Sequence, residues 1–273
     1  MQVKNAQNRF LTNTSFIVLH NDEWLQGQRH AGKITAGALS LLEAEVKAGT
    51  SKTLIELDAL AETFIRDNGC TPTFLQYKGF PNSVCMSVNK QLVHGVPTDY
   101  RLQDGDLISF DLGATDMKTG AIGDSAFTMI FGGSLSHSHI NLIQATKVAL
   151  HKAIQAVKIG SQIGVIGEAI SFVAKIHGFS TINTYGGHSM RAGMAHAPPF
   201  VSNKDIADNG VRIQENMCLA IEPLFVMGGS TKTKVSSDGW TVECQDYCAH
   251  EEATIYIHKD SVEVLTKREG EII

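Results

Sequence analysis

Residues 107–131 read LISFDLGATDMKTGAIGDSAFTMIF. Leu107–Leu112 and Ser125–Phe131 are rich in the β-branched and aromatic residues that suit strands. Lys118-Thr119-Gly120 between them supplies turn chemistry, so the stretch predicts a β-hairpin. Each arm carries an acid: Asp111 in Phe110-Asp111-Leu112-Gly113 and Asp124 in Gly123-Asp124-Ser125. A carboxylate inside an apolar strand is expensive to bury unless it is paired or holds a cation. The hairpin would bring the two acids, 13 residues apart, to one end of a sheet. Either one alone reads equally well as a turn or strand-end acid facing water.

On the N-terminal side, Ala31, Ile34, Ala38, Leu41 and Leu42 recur at helical spacing over about Arg29–Lys47, and Gly49 is placed to stop the helix. Thr53-Leu54-Ile55-Glu56 has capping-box form, and Leu54, Leu57, Ala61, Phe64 and Ile65 follow as an apolar stripe that ends before Gly69. Thr73–Tyr77 and Val84–Val88 read as strands. Beyond the hairpin the order begins again. Helices are expected over Ile140–Val157 and Ile163–Ile176, the second closed by Gly178. Strands follow at Ser180–Thr184, Cys218–Val226, Ala253–His258 and Val262–Leu265, with Met227–Gly239 as a flexible loop. Two helices then strands, twice over, predicts an α+β fold of two similar halves, with helices covering a mostly antiparallel sheet.

Composition narrows the function. With 43% hydrophobic and 19% charged residues, the 273-residue chain is of globular type, which excludes disorder and fibrous repeats. A formal charge of -5 speaks against gripping phosphate backbones, so no specific nucleic-acid partner is expected. No apolar run approaches the roughly 20 residues needed to span a bilayer, and the N-terminus has no apolar core of a secretory signal. The 5 cysteines are odd in number and scattered, the pattern of reduced thiols in a cytoplasmic protein. Cys244 and Cys248 have no second pair to complete a metal site.

Three further groups join the two aspartates. Tyr185-Gly186-Gly187-His188 puts glycines before a histidine, where the backbone can approach a ligand closely. A lone histidine is still more often a surface or core residue than a ligand. Ile221-Glu222-Pro223 ends an apolar run with an acid that would be costly to bury unpaired. In His250-Glu251-Glu252-Ala253 only one of the adjacent acids can face inward. Two Asp, two Glu and one His form a hard donor set suited to a pair of divalent ions, and Mn, Fe, Co and Zn all accept such O and N donors. His94, in Val93-His94-Gly95-Val96-Pro97, and His196, in Ala195-His196-Ala197-Pro198-Pro199, sit in Gly- and Pro-shaped segments that read as rigid loops. Beside a metal pair they could donate to a peptide carbonyl.

The order Asp111, Asp124, His188, Glu222, Glu252 resembles the ligand set of the methionine aminopeptidases, whose fold is called pita-bread. The likeness runs from about Ile17 to Thr266, and Tyr77–Asn89 followed by His94-Gly95-Val96-Pro97 is similar to the type I enzymes in particular. The resemblance implies a single catalytic domain over 1–273, with 1–16 as an N-terminal extension. It implies two divalent ions: Asp111 would hold one, His188 and Glu222 the other, and Asp124 and Glu252 would bridge them. Glu222 would move the proton, His94 and His196 would contact substrate, and Tyr77, Phe80, Cys85 and Trp240 would line the methionine pocket. The implied partners are a peptide or nascent-chain N-terminus, with the ribosome a further candidate, for a monomer in the cytoplasm. Two enzyme or binding alternatives share the fold: an Xaa-Pro aminopeptidase or dipeptidase, and a non-catalytic peptide- or protein-binding member. The hairpin between Asp111 and Asp124 is longer than type I enzymes usually carry.

Overall fold

The structure, a computed structural model, describes residues 17–134 and 136–271. The extension 1–16 therefore lies outside the described residues. Helix α1 spans Asp22–Lys47 and α2 spans Leu54–Asp67. Strands β1 (Cys70–Pro72), β2 (Val84–Val88), β3 (Gln91–Val93), β4 (Leu107–Asp116) and β5 (Ile122–Ile130) follow. Then come α3 (His137–Ala156) and α4 (Gly164–His177). The C-terminal strands are β6 (Ser180–Thr181), β7 (Gly186–Arg191), β8 (Met194–Ser202), β9 (Cys218–Ile221), β10 (Leu224–Val226), β11 (Lys234–Val235), β12 (Val242–Glu243), β13 (Cys248–His250), β14 (Ala253–Ile257) and β15 (Val262–Val264).

Helix α1 starts seven residues before the expected Arg29. The Asn21 side chain accepts the Trp24 N–H, and Asp22 and Glu23 sit in the first turn, where their charge suits the exposed amides. The capping box of α2 is present in both directions, from Thr53 to Glu56 and back. Both helices lay their apolar stripes on β2, β4 and β5, and Leu39, Leu42, Leu57, Ile65, Phe110 and Phe127 form that core. Helices α3 and α4 do the same for the second half, where Leu142, Ile166, Ile170, Leu219, Phe225 and Ile255 pack together. Two helix pairs thus cover two groups of strands, and every named strand pairing is antiparallel.

The hairpin forms as read, with β4 and β5 in register from Leu107↔Ile130 to Thr115↔Ile122. It meets the second half at a bridge between Ala126 and Glu252. Three expectations need correction. Thr73–Tyr77 is not a strand: the chain leaves β1, turns at Gln76 and Lys78 in left-handed conformations, and makes a 3-10 turn over Tyr77–Gly79. Cys218–Val226 is two strands in different sheets, broken at Glu222-Pro223. The segment around His196 is not a loop but strand β8, which pairs with β7; β8 is the edge of the order β15-β14-β9-β7-β8, the place where Pro198 and Pro199 are tolerated. Within Met227–Gly239, Lys234–Val235 pairs with β12. Among the described residues no helix is long and apolar enough to cross a membrane, and all five cysteines are free thiols.

Candidate metal centre and its pocket

Strand alternation sets the first acids. Phe110 and Leu112 point into the α1–α2 core, so Asp111 between them points to the opposite face. Its strand neighbours are Cys85 on β2 and Ala126 on β5. Asp124 faces Gly113 on β4, and its backbone is clamped to β14: its N–H donates to Thr254 Oγ1 at 2.9 Å, and Thr254 Oγ1 donates back to its carbonyl at 2.7 Å. The Ser125 hydroxyl donates to the Glu252 carbonyl at 2.6 Å, which fixes the chain at that acid. His188 on β7 lies opposite Ala220 of β9. A side chain at Gly187 would collide with the Ala220 carbonyl, so glycine is what permits this close pairing. Glu222 sits at the break after β9, its carbonyl accepting from Asn203 Nδ2 at 2.9 Å.

The five residues converge in overlapping sets. One donor atom each of Asp111, Asp124 and Glu252 lies within 4.8 Å of the others, and the same holds for His188, Glu222 and Glu252. Asp124, His188 and His196 make a third such set. His188 Nε2 is 3.9 Å from Asp124 Oδ2 and 3.7 Å from Glu222 Oε1. Its Nδ1 lies 3.0 Å from the Ser189 carbonyl, which makes Nδ1 the protonated nitrogen and leaves the Nε2 lone pair facing the acids.

The electrostatics call for cations. Burial, then the charges of Asp124 and Glu222, push the Asp111 carboxyl well above the usual range. Burial and the same kind of crowding raise Glu252 likewise, and Asp124 is pushed up to about 6 by burial, with His188 opposing. Asp111 Oδ1, Asp124 Oδ1 and His250 Nε2 are buried with no hydrogen-bond partner. Buried acceptors without donors are costly. Hard oxygen donors around one imidazole fit divalent ions, and ions there would satisfy these atoms and the crowded negative charge together.

The two further histidines come from opposite sides. His94 holds a left-handed backbone conformation, φ 57°, and the following Gly95 is required because a Cβ there would collide with the Met86 carbonyl. Burial lowers the His94 imidazole to about 4. The His196 ring is 4.6 Å from the His188 ring and 5.4 Å from that of Tyr77. Its backbone N–H donates to the Tyr77 hydroxyl at 3.3 Å. Solvent reaches the His196 ring, yet crowding by protein lowers its pKa well below the ordinary value, with His188 and His94 adding to that.

An apolar cluster adjoins the acids. Phe80 and Cys85 pack with Phe74, and Val96 and Trp240 close against them. The Phe80 and Trp240 rings meet edge to face at 5.4 Å. Burial, then the Asp111 charge, keeps the Cys85 thiol neutral. Tyr77 belongs to a different group, packing against the cluster that includes Met190 and Ala195 and holding the His196 backbone.

Sequence reading missed Phe74, Val96 and His250. Phe74 stood in the supposed strand Thr73–Tyr77; its ring lies 6.4 Å from the His196 ring. His250 Nε2 is 3.5 Å from Glu222 Oε2 and 3.9 Å from Glu252 Oε2. Its signal in the sequence was only its place beside Glu251-Glu252. Of those two acids, Glu252 joins the cluster, while Glu251 faces away, toward a cavity of about 460 Å³.

Residues 26–259 match the family model Peptidase_M24, described as metallopeptidase family M24. The methionine aminopeptidase of Mycoplasma capricolum subsp. capricolum is 41% identical over 255 residues, which is 93% of this chain and 99% of that protein. The crystal structure of methionine aminopeptidase from Rickettsia prowazekii superposes with a TM-score of 0.86 at 32% identity, covering 92% of this chain and 100% of that one. The prolidase of Pyrococcus furiosus shares the fold, with a TM-score of 0.74 at 21% identity, but this chain covers only 67% of it. With a family match over most of its length, a 41%-identical relative covered almost end to end and the pita-bread α+β architecture of its structural neighbours, this chain belongs to metallopeptidase family M24, on its methionine aminopeptidase branch.

Proposed function

We propose that this metallo-aminopeptidase, a single catalytic domain, removes the N-terminal methionine from peptides and newly made proteins by hydrolysing the first peptide bond. The observation that carries the reading is a cluster of acids and one histidine set beside an apolar cluster of Phe74, Phe80, Cys85, Val96 and Trp240. Two divalent ions fit the cluster: Asp111 with one, His188 and Glu222 with the other, Asp124 and Glu252 shared. Glu252 belongs both to the set with Asp111 and Asp124 and to the set with His188 and Glu222, which supports its place between the two. When bound, such ions polarise a carbonyl and lower the pKa of water.

The chain supplies the rest. Burial works against ionising Glu222, but the His250 imidazole, its Nε2 3.5 Å from Glu222 Oε2, and the neighbouring histidines hold its carboxyl below the usual range. It is therefore charged and able to take a proton from the attacking water and return it to the leaving amine. His94 and His196 are kept neutral by their surroundings, so each offers an N–H to the oxygen of the scissile carbonyl. Tyr77 fixes the backbone at His196. The pocket suits a flexible, unbranched thioether, with aromatic faces and the neutral Cys85 thiol as its walls.

The Xaa-Pro reading rests on the shared fold alone. The deciding experiment compares Met-Ala-Ser with Xaa-Ala-Ser and Xaa-Pro peptides, with Mn, Fe, Co or Zn restored to metal-free protein. Preferential release of methionine is expected. Faster cleavage of Ala-Pro or Phe-Pro bonds would overturn the assignment. Metal binding without cleavage of either would favour a binding protein.

A further inference from the structure

The β4–β5 hairpin carries a second cluster of side chains at its far end. Asp116, the last residue of β4, is the direct cross-strand partner of Cys70, the first residue of β1. Directly opposed residues share a face, which brings the thiol and the carboxylate together. Helix α1 passes over that face and adds His30, whose Nδ1 lies 2.8 Å from Asp116 Oδ1 and 3.9 Å from Cys70 Sγ. The other oxygen, Asp116 Oδ2, accepts from the Thr119 N–H at 2.8 Å and from its hydroxyl at 2.7 Å. The carboxylate is thereby held with Oδ1 toward the histidine and the thiol.

We propose that His30, Cys70 and Asp116 form a second cation site, separate from the catalytic cluster, that takes a divalent ion of borderline softness such as Zn²⁺ or Co²⁺. The three donor atoms lie within 4.8 Å of one another. Metal–N and metal–O bonds near 2.1 Å and a metal–S bond near 2.3 Å place tetrahedral ligands about 3.4 Å apart for N and O and about 3.6 Å for N and S. The observed 2.8 and 3.9 Å differ from these by about 0.6 and about 0.3 Å, within the reach of side-chain rotations. One imidazole nitrogen facing both partners is the arrangement an ion between them requires. Thr119 supplies the outer hydrogen bonds that orient a ligating carboxylate.

The His30 side chain is 43% exposed and Asp116 9%, so an ion and its fourth ligand, a water, have access from that side. Burial, then the Asp116 charge, raises the Cys70 thiol to about 11, so binding must displace its proton to solvent as the metal–sulfur bond forms. Asp111 and Asp116 are five residues apart on β4. They therefore lie on opposite faces and about 17 Å apart along the strand, which separates the two sites. An ion here would tie α1 to both strands beneath it.

Cobalt distinguishes the sites, because the catalytic cluster holds only O and N donors. Full-length protein titrated with Co²⁺ should develop a thiolate-to-cobalt charge-transfer band. Cys70→Ser and His30→Ala should each abolish it, and Asp116→Asn should weaken the affinity about 10–100-fold. Cys70→Ser should bind one ion fewer than wild type while cleaving peptides at the wild-type rate. Cys85→Ser should keep the band. Zn²⁺ should raise the melting temperature of wild type more than that of Cys70→Ser. A saturating titration with no such band overturns the proposal. So does a band that survives Cys70→Ser, which would assign it to another thiol, or one that survives His30→Ala, which would mean a lone thiolate.

Discussion

Glu251 and Glu252 are adjacent, equally buried and chemically identical, yet the structure assigns them opposite consequences. Glu252 faces Asp111 and Asp124. Glu251 is 1% exposed on the other face, with Oε1 accepting the Thr128 N–H at 3.2 Å. The cavity beside it is lined by Glu43 and Lys47 of α1, Lys147 and His151 of α3, and Arg268 and Glu271 near the C-terminus. Burial raises the Glu251 carboxyl from 4.5 to about 8, and Lys147 and Arg268 only partly oppose it. Between those two values the folded protein holds a proton that the unfolded chain has released. Stability therefore falls as pH rises through this window; the contribution is complete below about 4.5 and gone by about 8. At roughly 1.4 kcal/mol per pH unit, the loss reaches at most about 5 kcal/mol. Glu251→Gln keeps the acceptor for Thr128 and has no proton to lose. Urea unfolding of both proteins from pH 5 to 9 should show the variant gaining steadily over wild type up to about pH 8, with peptidase activity largely retained. Both proteins carry the same catalytic cluster, so its titration drops out of the difference. Parallel stability curves, or a variant destabilised at every pH, would mean that Glu251 is charged and paired with Lys147 or Arg268, and would refute the argument. Glu252→Gln should instead be inactive and bind metal more weakly, read from metal content after dialysis.

Asp124→Asn should nearly abolish turnover and lower the metal stoichiometry; full activity, or saturation at one ion with no gain from a second, would contradict the two-ion centre. His196→Ala should reduce kcat about 10²–10³-fold with metal content unchanged; loss of metal would place His196 among the ligands, as its proximity to Asp124 and His188 allows. Phe74→Ala and Trp240→Ala should each raise KM for methionine peptides and loosen discrimination among first residues, measured on an Xaa-Ala-Ser panel. One methylene in such a pocket is worth about 1–3 kcal/mol, so leucine and norleucine peptides should gain relative to methionine.

What could be read without the structure was what the local chain decides. The Thr53–Glu56 box, the Gly178 helix stop and the hairpin around Lys118-Thr119-Gly120 each depend on residues a few positions apart. Asp111 and Asp124 stood out because an acid amid apolar strand residues has few stable explanations. Thr73–Tyr77 misled for a related reason. Its aromatic and β-branched residues look like a strand, but their apolar surface is taken up by other partners: Phe74 by Cys85 and Phe80, Tyr77 by the cluster that includes Met190 and Ala195. The backbone is held by tertiary bonds, Thr73 N–H to the Gly113 carbonyl at 2.9 Å and Gln76 N–H to the Phe80 carbonyl at 2.8 Å. His250 shows the same limit at the site. Cys248-Ala249-His250 is an ordinary strand by composition, and β13 pairs with β10, placing His250 opposite Leu224. Only because the chain breaks at Glu222-Pro223 just before β10 does that register aim an imidazole at the Glu222 carboxylate. His30, Cys70 and Asp116 are further apart still, and nothing in the sequence around any one of them names the other two. A donor set spread over three elements becomes visible only once the β1–β4 register and the path of α1 are known.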